Sequence, residues 1–158
     1  MESAKIVLLC SLSAVVFGIL HDQVTARACV EYFTIGHPPI FCTDSPAVLA
    51  IGWGIIATWW VGLILGILAA SVSRLGSWPK FTAGQLVRPT LLLLTVMACV
   101  SFLTCLIGFF VAGASGVWLI DPLASRVPTS KHQDFLADLW AHLASYAAGF
   151  LGGIAVCS

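Results

Sequence analysis

Two segments of this chain concentrate the side chains that could do chemistry. The first holds His21, Asp22, Gln23, Arg27, Glu31 and His37, and the second holds Lys131, His132, Asp134, Asp138 and His142. Imidazoles and carboxylates of this kind are ligands for iron, copper, zinc or manganese. The expected metal-ligand set is His21 and His142 with Asp138, Asp22 and Glu31. His37 and His132 fall beside Pro38 and Thr129 in loop-like sequence, where a histidine is ordinarily solvated. Asp138 and His142 are four residues apart, the spacing that stacks side chains on one helix face. Asp134 and Tyr146 continue that file. Gln23, Arg27 and Glu31 form a similar file in the first segment, and Asp22 follows a file of small residues. If Ile35 and Ser130 share one height, antiparallel positions summing to about 165 lie level. Arg27 then meets Asp138 as a structural ion pair, with Glu31 as its alternative partner, and His21 falls within a turn of His142.

Other catalytic signatures are missing. There is no Glu-x-x-His, no His-Glu-x-x-His, no nucleophile elbow, no phosphate loop and no dinucleotide glycine fingerprint. Cys10, Cys99, Cys105 and Cys157 lie in apolar runs and read as small hydrophobes. Cys29 and Cys42 share one polar region, and both a disulfide and free thiols fit the sequence.

The elements that hold these groups are membrane helices. Hydrophobic residues make up 59% of the 158 residues and charged residues 9%, against about 25% charged in a soluble domain. So few charges cannot cover a soluble surface, so lipid is the expected solvent. Apolar runs imply four transmembrane helices, roughly 5–35, 46–70, 89–113 and 130–157, in one all-α bundle spanning 1–158 as a single domain. Asp44-Ser45-Pro46 starts the second helix and Arg88-Pro89-Thr90 the third. His37-Pro38-Pro39 stops the first.

Lys5, Arg74, Lys80 and Arg88 stand against Arg27, Arg126 and Lys131, which favours both termini in the cytoplasm of a cell (plasma or inner) membrane. Both polar segments then face outward, and the site belongs to the outer face of helices one and four. A signal peptide ending near Ala28 is the rival for the N-terminus and would remove His21.

Small residues recur at every fourth position: Ala50, Gly54, Thr58, Gly62, Gly66 and Ala70, then Ala137, Ala141, Ser145, Gly149, Gly153 and Cys157, with Cys10, Ala14 and Gly18 on the first helix. Such stripes let backbones approach closely. They serve the bundle itself, a homo-oligomer or a membrane-complex partner. Trp78 and Trp118 suit the headgroup region, and Trp59-Trp60 suits packing, lipid contact or a flat ligand. No basic run points to nucleic acid. Three functions remain open: metal-assisted or redox chemistry, a noncatalytic membrane subunit whose cluster is structural, and a small proton-coupled carrier.

Overall fold

The structure, a computed structural model, describes residues 1–75, 77 and 80–157, with only the backbone of Cys157. Trp78 and the side chain of Cys157 therefore lie outside the described residues. Among the described residues, four helices are long and apolar enough to cross a membrane. They are α1 (Glu2–Ala28), α3 (Pro46–Arg74), α4 (Ala83–Gly113) and α6 (His132–Cys157). Two short helices, α2 (Val30–Thr34) and α5 (Leu123–Arg126), lie in the connections at one end, which we term the outer end. A 3₁₀ turn, Thr129–Lys131, leads into α6.

The ends of the helices follow local chemistry, with two departures from expectation. The first helix does not run unbroken to residue 35. It breaks at Cys29, which is extended (φ −146°, ψ 93°), and resumes as α2. No glycine or proline stands at the break. Packing overrides local preference, because the break turns Tyr32 and Phe33 into the outer core with Trp53, Phe135 and Leu136. The third helix begins at Ala83, ahead of the expected start at Pro89. Thr82 and Gln85 form a reciprocal capping box there, which satisfies two amide donors that a bare helix start leaves open. Proline at position 89 is carried inside the helix.

Helix α1 packs along α3, and α4 along α6. The small-residue stripe of α3 makes the first of these pairings possible. A Cβ on Gly54 would lie 2.6 Å from Ile19 N, and one on Gly62 would lie 2.7 Å from Cys10 O. At the opposite, inner end, the Glu2 carboxylate binds Lys5 Nζ at 2.7 Å and accepts from Ala83 N at 3.2 Å. Arg74 stands 4.0 Å from the same carboxylate. One side chain thus ties the inner ends of α1, α3 and α4.

Candidate metal centre

Asp22 is the centre of the polar cluster. It occupies the inward file of α1, after Gly18, and is buried. Its Oδ1 lies 3.2 Å from His21 Nδ1 and 3.3 Å from His142 Nε2. One carboxylate oxygen and one nitrogen from each ring thus lie within 4.8 Å of one another. The outward nitrogens are held as well. His142 Nδ1 lies 2.8 Å from the Asp138 carbonyl oxygen. His21 Nε2 lies 2.8 Å from Ser101 Oγ, and Ser101 Oγ lies 3.0 Å from the Ala141 carbonyl oxygen.

Proton counting constrains this arrangement. A backbone carbonyl only accepts, so His142 carries its proton on Nδ1. In a neutral ring, Nε2 then presents a lone pair to the Asp22 carboxylate. Two lone pairs at 3.3 Å repel unless a proton or a metal ion lies between them. For His21 the outcome follows Ser101. If the serine proton goes to Ala141, His21 donates from Nε2 and its Nδ1 lone pair also points at Asp22. If Ser101 donates to His21 instead, Nδ1 carries the proton. Either way the Asp22–His142 contact needs a further proton or a metal ion beyond the protons of two neutral imidazoles.

The spacing suits a metal ion. Ligands about 2.05 Å from a tetrahedral ion stand about 3.3 Å apart, which matches both Asp22 separations. A cavity of about 60 Å³ opens beside the triad, walled by Thr58, Met97, Ser145 and Tyr146. That is room for a water or a small ligand at an open coordination position.

The outer side of the triad is closed by aromatic rings. Tyr32 stacks on His142 at 4.5 Å between centroids, and Phe33 meets His142 edge-on at 5.7 Å. His37 lies over Phe33 and against Trp53. His37 Nδ1 donates to the Tyr32 carbonyl at 2.9 Å. Burial holds this imidazole below its usual range, so it is neutral at pH 7. The run Glu31-Tyr32-Phe33-Thr34-Ile35-Gly36-His37 is therefore a plug over the triad.

The structure brings together three of the five expected ligands: His21, Asp22 and His142. Glu31 lies apart and accepts from the Cys29 thiol at 3.4 Å. Asp138 is fully buried one turn of α6 outward from His142, and neither of its oxygens has a hydrogen-bond partner among the described residues. The expected Arg27–Asp138 pair does not form, nor does the alternative with Glu31. Arg27 is exposed and its guanidinium binds the Gln23 carbonyl and side chain. Successive helical residues turn by about 100°. With Asp22 and Ala26 facing inward, Arg27 is carried out of the bundle. His132 Nε2 lies 3.0 Å from the Val127 carbonyl, and Lys131 pairs with Asp134 at 3.3 Å.

The site is also deeper than its expected place at the outer face. His142 stands ten residues into α6, about 15 Å from its start, and Ser101 stands about 18 Å from the end of α4. Sequence reading missed Ser101, because a single serine in an apolar run carries no sign of its facing. It also missed Tyr32 and Phe33, whose role depends on the break at Cys29.

The chain matches no protein-family model, no curated protein and no solved structure.

Proposed function

We propose that His21 Nδ1, Asp22 Oδ1 and His142 Nε2 hold a transition-metal ion inside the bundle, and that this membrane protein performs metal-assisted or redox chemistry there. The observation that carries the reading is the convergence of three donor atoms within 4.8 Å of one another, with both rings 3.2–3.3 Å from the Asp22 oxygen and a lone pair of His142 facing that oxygen. Two imidazoles and one carboxylate beside open space suit non-haem iron(II) first, with zinc, copper and manganese as the other candidates. The Asp138 carboxylate, one turn from His142, supplies a second negative charge. A divalent ion with Asp22 and Asp138 is then neutral overall, which lowers the cost of placing it in hydrocarbon.

A second reading has one observation in its favour. A proton on His142 Nε2 would make an imidazolium–Asp22 pair that ties α1 to α6, and the cluster would be structural or would handle protons.

Elemental analysis separates the two readings. The tag-free protein, purified in mild detergent after growth with iron, zinc, copper and manganese, is expected to carry about one ion per chain. His21→Ala, Asp22→Ala and His142→Ala should each lose most of it, while His132→Ala retains it. Folded wild-type protein without any of these metals would leave only the second reading.

A further inference from the structure

His21 has a second face. Between α1 and α4 a lateral cavity of about 720 Å³ opens, with the exposed side chains of Leu20, Val24 and Phe102 at its rim and His21 and the buried Ser101 at its floor. Its volume is in the range of small-molecule pockets, about 300–1,000 Å³. The hydroxyls of Thr25 and Thr95, which also line it, bond carbonyls of their own helices. Cys99 and Cys105 add thiols, and Ser101 Oγ, which donates to the Ala141 carbonyl of α6 and lies 2.8 Å from His21 Nε2, is the lining hydroxyl whose acceptor belongs to another helix.

Depth decides what that occupant can be. The floor lies about 18 Å from the outer end of α4, inside a hydrocarbon core about 30 Å thick. A phospholipid keeps its charged headgroup at the surface, so it can present only acyl chain here. A floor of one hydroxyl and one imidazole fits a neutral oxygen on an apolar body, because such a group enters hydrocarbon cheaply once it is hydrogen-bonded.

We propose that this seam binds a quinone-class molecule, a neutral lipophilic ring whose carbonyl oxygen accepts the proton that Ser101 now directs at Ala141. The choice of a redox-active ring rests on the metal reading above. With its Nδ1 lone pair on the metal, His21 donates from Nε2 to Ser101, so a single imidazole and one hydroxyl connect the ion to the ligand oxygen.

The test uses the full chain in phosphatidylcholine nanodiscs, with and without metal, and a radiolabelled benzoquinone bearing a decyl tail. Saturable binding is expected. Ser101→Ala should weaken it about tenfold, the loss of one buried hydrogen bond. Val24→Trp and Ala98→Phe place bulk in the seam from exposed positions on α1 and α4. Each should weaken binding tenfold or more while melting temperature and metal content stay at wild type. Displacement by decanol as effective as by unlabelled quinone, or no effect of Ser101→Ala, overturns the proposal in favour of a seat for lipid chains. Binding by a protein that never holds metal supports the seam and removes the metal reading. A metal-loaded protein that binds no quinone does the reverse.

Discussion

Asp138 sets the energetics at the scale of single residues. Its carboxyl is fully buried and neither oxygen has a hydrogen-bond partner among the described residues. In hydrocarbon such a group is tolerable only when a proton or a nearby cation neutralises it. The metal reading gives it a purpose that structural packing does not. Replacing a buried, poorly paired ionisable group by an apolar one of similar volume is often stabilising, by about 1–4 kcal/mol. Asp138→Leu is therefore expected to raise the melting temperature of the chelator-treated protein. The same substitution should weaken metal retention about tenfold or more, since the site loses a negative charge in a low-dielectric setting. Melting curves with and without chelator, together with metal content after dialysis, measure both effects. A variant that melts lower and keeps its metal would mean that Asp138 supports the fold and not the ion. Asp22 differs in kind, because its oxygen already sits against both rings.

At the scale of elements, α1 and α3 depend on missing side chains. A Cβ at Gly54 would meet the backbone of Gly18 and Ile19 at 2.6–2.8 Å, and backbone cannot step aside as a flexible side chain can. Gly54→Ala should push the two helices apart and cost about 1–3 kcal/mol, the usual price of overpacking. Because His21 and Asp22 lie one turn beyond Gly18 on α1, metal content should fall with it. Gly84→Ala is the control. It stands exposed in the first turn of α4, where the nearest atom to an added Cβ is 4.0 Å away, and it should be neutral or slightly stabilising. Unfolding in mixed detergent micelles reads both. Equal stability of the two variants would show that α1 can slide on α3 without loss. The stripe itself was legible in the sequence because its period is that of a helix. Its partner was not, since a four-residue repeat does not say which helix it receives.

For the whole molecule, residues 29–45 and 114–131 lie at one end of the bundle, and Met1, Leu75 and residues 80–82 lie with the end of α6 at the other. The expected orientation rests on the basic residues at that inner end, Lys5, Arg74, Lys80 and Arg88, against Arg27, Arg126 and Lys131 at the other. On a cysteine-free background, a cysteine at position 125 should react with an impermeant maleimide on intact cells, and one at position 77 should not. The opposite pattern would invert the protein in the membrane. The native cysteines add a check on the outer end. Cys42 is an exposed free thiol, whereas Cys29 is buried and its thiol is pushed up to about 12. Only Cys42 of this pair should label, because the thiolate is the reactive form.

Composition and periodicity by themselves determined the solvent, the number of crossings and the common end of the two polar segments. Those properties follow from hydrocarbon thickness and from helix rise, which act on each run separately. With Ile35 and Ser130 taken as level, they also put His21 within a turn of His142 in height, though not in contact with it. Rotation about each helix axis was decided only by the tertiary structure. The sequence file Gln23–Arg27–Glu31 and the file Gly18–Asp22–Ala26 are equally periodic. The close approach of Gly18 to Gly54 selected the second, which drew Asp22 into the triad and turned Arg27 outward. The break at Cys29 was decided the same way, by the burial of Tyr32 and Phe33, for which no local residue is responsible. Depth, facing and the aromatic plug are properties of packed neighbours, and a single chain read in order does not contain its neighbours.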